Sequence, residues 1–522
     1  MGNWLGDRLL GAAGNIIDGW AWLSGEASAA AVNRIVASTR NRPHPWSSFA
    51  DYTCWQGLTD RTYLARHLPP ADLPVQPAPE AVRTLFARPD GQAQISRKST
   101  CLFPAFAQYL TDGFLRTMPG QVDRTTSNHE IDMCTLYGRT PAQTRALRLK
   151  SAAPGQRGRL KSQMIGLEEF SPFLYLPGTK DLSDPEFQNL DPPLVDENLP
   201  VARRDTLFAV GGDRVNSTPF TAMMNTLFLR EHNRVARELE TRNPDWDDEH
   251  VFQVARNIII PIFIKIVVEH YINHITPMPF SLRADPSIAW HAEWNRPNWM
   301  TVEFSLLYRW HSLMPDSMAW PAGPTAPARQ IPIGAFLQDN APLIEVGLDA
   351  AFSGASMQPA GKLGALNTAQ PLLHIEDRAV AQARKNRLAT YNDYRVAFGM
   401  DRVTRFDEMT GNPRIAEILE DLYGTPDNVE FYPGLMAENR VEDSPLPGLL
   451  LRMVAVDAFS QALTNPLLSE HVWNERTFTP WGFALIGATS KLGDILTRNV
   501  PHRGATPIEM TQASWRFTDS DS

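Results

Sequence analysis

Tyr308 and His311 stand three residues apart in the run FSLLYRWHSLMPDSM. On a helix that spacing puts both on one face, about one turn from each other, so a phenol that can be oxidised would neighbour an imidazole that can bind a metal. Taken alone the pair says little, because a histidine on an apolar helix is more often a hydrogen-bonded core residue than a ligand. The three cysteines, Cys54, Cys101 and Cys134, lie far apart with no CxxC or Cys/His spacing. Neither a disulfide framework nor a zinc site is indicated, and a reducing cytoplasm fits best.

The 522 residues are 43% hydrophobic and 20% charged, enough apolar material for a large core and free of the bias of a disordered chain. A net charge of −9 argues against nucleic acid as a partner, since phosphate recognition needs clustered Lys and Arg. One or two local arginines could still hold a small anion. The most apolar stretch, residues 258–268, contains Pro261 and Lys265 and is far shorter than the roughly 20 residues of a membrane span. A buried helix is expected there. The N-terminus shows no secretory pattern, and Gly6 stands where a myristoylation motif wants Ser or Thr.

Two units are expected, residues 1–40 and 41–522. The first places Trp4, Leu5, Leu9, Ile16, Ile17, Trp20 and Leu23 at roughly helical recurrence, with two readings open: a helix packed on the body or in a dimer contact, or a helix lying on a membrane surface. Prolines from 43 to 79 suggest an extended arm, and Pro- and Gly-rich stretches at 174–200 and 315–332 read as loops. Helical periodicity is clear over 218–240, 248–274, 377–398 and 414–421, and alternating strand patterns are scarce. The expected class is mainly α, with many helices and few short strands.

Longer runs carry more information. TLFLREHNRVARELETRNPDWDDEHVFQVARNIII closely resembles the long helix pair of the animal haem peroxidases and prostaglandin synthases, and Tyr-x-Trp-His-x-Leu-x-Pro-Asp falls where that family has its radical tyrosine and proximal histidine. The resemblance spans roughly residues 40 to 500 and recurs in RFDEMTG, LEDLYGTPDNVEFYPGLM and ALTNPLLSEHVW. It implies the large helical fold of that family, in its cyclooxygenase and fatty-acid dioxygenase branch and without an epidermal-growth-factor module. His311 is then the haem-iron ligand and Tyr308 the radical-forming residue. Asn392, in RKNRLATYNDYRVAFGM, takes the place of the asparagine that accepts the other imidazole N–H, a bond that fixes ring orientation and ligand basicity. Gln108, in FPAFAQYLTDGF, takes the distal glutamine's place. Arg214, in GGDRVNS and 16 residues before Arg230, takes that of the catalytic arginine of mammalian peroxidases. Arg66, in LTDRTYLARHLPP, takes that of the arginine at the mouth of the cyclooxygenase fatty-acid channel, where a guanidinium can hold a carboxylate through two parallel bonds.

Departures from the family pattern are equally specific. The distal histidine, whose proton shuttling is worth about 10²–10⁴-fold, is replaced by Asp112, a poor proton reservoir unless the pocket raises its pKa. Thr111 and Ser217 stand where the family's covalent haem links have carboxylates, so haem b is expected to bind noncovalently. Met278 replaces the tyrosine that partners the channel arginine, and the region of the acetylatable serine offers either Ala458 or Ser460.

The resemblance therefore implies a haem-dependent dioxygenase whose substrates are an unsaturated fatty acid and dioxygen. Two alternatives stay open: a haem peroxidase or peroxygenase acting on another small molecule with Asp112 as proton donor, and a haem-binding protein that has lost peroxide activation. The oligomeric state is not legible, and a peripheral membrane contact depends on the first 40 residues.

Overall fold

The computed structural model describes residues 17–19, 21–37, 55–321, 328–500 and 503–517. Trp4, Leu5, Leu9, Ile16 and Trp20 of the N-terminal apolar pattern, and Cys54, lie outside them. The site and its walls are built by α1 (Ala21–Ala37), α2 (Leu102–Phe114), α3 (Pro219–Arg242), α4 (Asp248–Ile266), α5 (Leu373–Lys385), α6 (Tyr391–Ala397) and α7 (Gly448–Leu463). Strand among the described residues is confined to four two-stranded antiparallel sheets. The class is mainly α, as the periodicity indicates.

The two central helices start where capping chemistry places them. Thr218 accepts a hydrogen bond from Thr221 N–H, with Pro219 in the first turn, and Asp247 accepts one from His250 N–H, each satisfying an amide that the helix itself leaves unpaired. α3 is buried over most of its length, including Arg230, Glu231, His232 and Asn233. Their polar atoms are satisfied internally: Glu231 takes Arg234 and Arg498, and Arg230 meets Glu168 and the Glu169 carbonyl. The ion-pair run of this helix is structural.

α4 carries Pro261 in its interior and continues into a π-helical turn, Val267–Ile272, then Asn273–Ile275. The whole rod, Asp248–Ile275, is long and apolar enough to cross a membrane, yet 78% of its most apolar window is buried within the protein. It is a core helix. Such widened turns recur at functional sites because they re-aim side chains.

Three sequence expectations change here. The helix expected over 377–398 is two helices, because Arg387 adopts φ 51° and Thr390 opens α6 with a capping box to Asp393. Tyr308 and His311 do not share one helix: the short helix Phe304–Leu307 ends at Tyr308, whose φ and ψ of −107° and 25° are non-helical, and a 3-10 turn restarts at His311. The stretch 315–332 is not wholly loop, since Ser317–Trp320 pairs with Arg329–Pro332.

The arm lies across this framework. Its amides bond to the body, Leu64 N–H to the Asp123 carbonyl at 2.8 Å and Ala65 N–H to that of Met300 at 2.7 Å. α1 buries Ser24, Ser28, Val32 and Val36, a stripe repeating every four residues, and packs on α7. The two readings of the N-terminal apolar pattern rest largely on residues outside the described ones.

Candidate active site

His311 projects from the turn after the helix break and is partly exposed. Its Nδ1 lies 3.1 Å from Glu376 Oε1. Glu376, in the first turn of α5 and 2% exposed, also accepts a hydrogen bond from Thr368 Oγ1 at 2.8 Å and one from the Tyr432 hydroxyl. A carboxylate that takes two hydroxyl protons serves the imidazole as an acceptor too, so Nδ1 carries the proton. Nε2, which makes no hydrogen bond among the described residues, keeps its lone pair for a Lewis acid.

Asn392 is not the imidazole's partner. It is fully buried in α6, where its amide nitrogen donates to the Val403 carbonyl at 2.9 Å and to Asp427 at 2.7 Å, and its oxygen accepts from Val403 N–H at 3.0 Å. Its job is to pin the loop after α6. The observed partner, Glu376, was not found by sequence reasoning; a carboxylate makes an imidazole more electron-donating than the expected amide would.

A second group of polar side chains comes from α2 and the segment before α3. Every residue of α2 is buried except Gln108, whose Nε2 donates to Ser217 Oγ at 2.8 Å. One turn later stands Asp112, with Oδ1 3.8 Å from Arg214 Nη1 and Oδ2 buried without a partner. Burial drives its pKa up to about 6 against the opposing pull of Arg214 and Arg116. Arg214 also donates to the Leu115 carbonyl at 3.1 Å.

Arg309, another residue missed in the sequence, connects the two groups. It donates to Gln382 at 3.1 Å and leaves Nε unpartnered. Desolvation first and Arg214 second lower its pKa, while Glu376 and Asp112 oppose them, so one guanidinium feels the carboxylates of both groups.

Tyr308 and Tyr271 make up the third part. Each hydroxyl is buried without a well-aligned hydrogen-bond partner, and each is close enough to the other to shift its acidity, with burial pushing both upward. The Tyr308 ring packs 4.9 Å from Trp310 and 4.8 Å from Phe304. Tyr271 comes from the π turn.

The two residues expected to bind substrate are not brought together. Arg66 is 4% exposed, and its guanidinium donates to the carbonyls of Leu68 at 3.0 Å and Arg387 at 3.1 Å. Met278 instead lines a separate cavity that Arg66 does not touch. An arginine already engaged by main-chain oxygens on a proline-rich arm serves the arm's conformation first. Ser460 is buried, its hydroxyl turned back onto the Val456 carbonyl at 2.6 Å.

The site thus combines an imidazole with a free nitrogen and a carboxylate behind it, a buried carboxyl and two arginines, and a pair of buried phenols whose hydroxyls neighbour each other. That is the outline of a helical haem oxidoreductase. The profile of the animal haem peroxidase family matches residues 89–511. Prostaglandin G/H synthase 2 of Gallus gallus is 30% identical over 494 residues, covering 90% of this chain and 76% of that protein. Prostaglandin G/H synthase 1 of Rattus norvegicus is 29% identical over 507 residues, 92% of this chain and 79% of that one. Among solved structures, a variant fatty acid alpha-dioxygenase of Oryza sativa with palmitic acid superposes with a TM-score of 0.70 at 16% identity, covering 98% of this chain and 97% of that one. Peroxidase A of Dictyostelium discoideum does so at 0.68 and 18%, covering 90% and 100%. The chain belongs to the animal haem peroxidase family, and with that membership come haem as cofactor and oxidoreductase chemistry.

Proposed function

We propose that the protein is a haem-dependent fatty-acid dioxygenase in which Tyr308 is the hydrogen-abstracting residue. The observation that carries this reading is the Tyr308 hydroxyl, buried without a well-aligned partner three residues before His311. Its polar neighbour among the described residues is the Tyr271 hydroxyl, so the O–H is not tied to a strong acceptor and stays available for hydrogen-atom transfer.

The residues present fit the cofactor. His311 Nε2 would take the iron, and the repulsion between Arg214 and Arg309 would be relieved by the carboxylates of haem. Thr111 and Ser217 offer hydroxyls rather than carboxylates, which supports noncovalent binding of haem b. Haem, when bound, supplies the one-electron oxidant for Tyr308.

From there the chemistry belongs to the chain and its substrate. The Tyr308 phenoxyl takes a hydrogen atom from an allylic or bisallylic C–H, leaving a carbon radical. Dioxygen adds to that carbon, and the peroxyl radical takes a hydrogen atom back from Tyr308. The product is a hydroperoxide and the phenoxyl is restored, so one initiating event serves many cycles. Oxygen uptake by the haem-loaded protein with linoleate and oleate, with a hydroperoxide identified by mass spectrometry, is the expected result; no uptake with any unsaturated fatty acid would refute the reading.

Glu376 predicts how tightly the imidazole side is held. Removing its charge in Glu376→Gln should weaken haem retention about 10–100-fold, the usual effect of losing an outer partner of a ligating histidine, and should raise the haem reduction potential. Dialysis against apomyoglobin and spectroelectrochemistry would check both.

Asp112 favours a second reading, peroxide-driven oxidation of a small molecule, because a carboxyl with a pKa near 6 can both accept and return a proton near neutrality. In that case dye oxidation by hydrogen peroxide rises as pH passes upward through about 6 and Asp112 ionises. Asp112→Asn removes that dependence. The stability sign follows as well: burial holds the folded pKa above the ordinary aspartate value, up to about 6, so ionisation is disfavoured in the folded state and stability falls as pH rises from that ordinary value through about 6. Asp112→Asn should gain melting temperature relative to wild type above pH 6 and not below pH 4.

A further inference from the structure

A cavity of about 830 Å³ opens between α1, the segment following the π turn, and α7, within the range of small-molecule sites, about 300–1,000 Å³. Among the described residues its lining contains two cations, Arg34 and Arg452, one hydroxyl, Thr276, and otherwise glycine and apolar side chains, with no carboxylate. Arg34 is exposed in the last turn of α1 and Arg452 half-buried in the first turns of α7. Neither forms a hydrogen bond or ion pair among the described residues. On α7, Arg452 shares a face with Ala455 and Phe459 at i+3 and i+7, and all three line the cavity. The wall also includes Ile272, which directly follows Tyr271 in the π turn, so one turn of chain contributes both to the cavity and to the phenol pair.

With two cations that have no ion pair among the described residues, an otherwise apolar wall, and Ile272 next to Tyr271 in the chain, the lining complements a long-chain molecule with a single anionic head. We infer that the cavity binds the fatty acid of the proposed reaction, with the carboxylate on Arg452, Arg34 as a second cation at the rim, and the chain laid along α7 toward Ile272. This rests on the fatty-acid reading above and moves its anchor from Arg66 to Arg452. A half-buried guanidinium with no partner among the described residues has its donors available for a bidentate bond, whereas those of Arg66 already meet main-chain carbonyls.

The test uses the haem-loaded full chain, titrated calorimetrically with oleate, oleyl alcohol and oleylamine, alongside oxygen uptake with oleate. Wild type should prefer oleate. Arg452→Gln should weaken oleate binding about 10–100-fold, the scale of one charge-assisted bond, raise KM for oleate by a similar factor with kcat retained, and leave oleyl alcohol unchanged. Arg34→Gln, at an exposed site, should change oleate binding only a few-fold. Arg452→Glu should reverse the preference toward oleylamine, a gain that a misfolded variant could not show. Equal losses for acid and alcohol in Arg452→Gln, or none for either, overturn the anchor; if wild type meanwhile takes up oxygen with oleate, the dioxygenase reading stands without it. If wild type neither binds oleate nor consumes oxygen with it, both fall. Binding of phosphatidylglycerol vesicles that is lost in Arg34→Gln and Arg452→Gln, with oleate binding unaffected, would make the patch a lipid-surface contact and overturn the inference.

Discussion

His311→Ala protein reconstituted with haem shows no Soret band above that of free haem, while far-UV circular dichroism retains most of the helix signal. The loss should exceed the roughly 100-fold that removal of an outer partner brings, because the substitution deletes the lone pair itself. It also strands Glu376, whose remaining partners are Thr368 and Tyr432. A buried carboxylate deprived of one donor costs about 1–3 kcal/mol, so the apo variant should melt earlier than apo wild type even without cofactor. A variant that retains haem with an unchanged spectrum would remove His311 from the site and with it the meaning of the Glu376 contact.

Tyr308→Phe makes the opposite demand, loss of chemistry with no loss of structure. The hydroxyl it removes has no well-aligned partner and has the Tyr271 hydroxyl beside it, so its deletion should change stability little, by about 1 kcal/mol or less. The ring contacts with Trp310 and Phe304 are retained by phenylalanine. The variant should show a normal Soret band and keep whatever dye oxidation the wild type supports. It should consume no oxygen with linoleate or oleate. Substantial hydroperoxide formation by the Phe variant would exclude the tyrosyl radical; main oxidation that persists in Tyr308→Phe and vanishes in Asp112→Ala would select the peroxidase reading instead.

What could be read from sequence follows the range of the forces involved. The central helices were legible because caps and periodicity are local: Thr218, Asp247 and the 3.6-residue recurrence between them mark α3 and α4. The second half of the 377–398 helix was misjudged although Thr390 and Asp393 spell a capping box, since a continuous polar and apolar pattern hid the break at Arg387. Glu376 was out of reach. It meets His311 across 65 residues, and an acidic residue in a helix's first turn already has a local explanation in the helix dipole. Asn392 illustrates the converse: motif position assigned it to His311, whereas Val403 and Asp427 lie nearer and satisfy it. Arg66 and Met278 were paired by the same kind of transfer, and the arm's carbonyls and the cavity wall separate them.

The widened turn at Val267–Ile272 couples two parts of the molecule like teeth on one shaft. Tyr271 points toward Tyr308 from inside that turn, and Ile272 and Ile275 face the cavity from its end. An α-helix advances about 100° per residue, so deleting one residue there to restore regular winding would rotate everything beyond the cut by about that angle. The cavity wall would then turn out of phase with the phenol. A substitution along this buried stretch acts at one position, whereas a change in its length acts on everything beyond it.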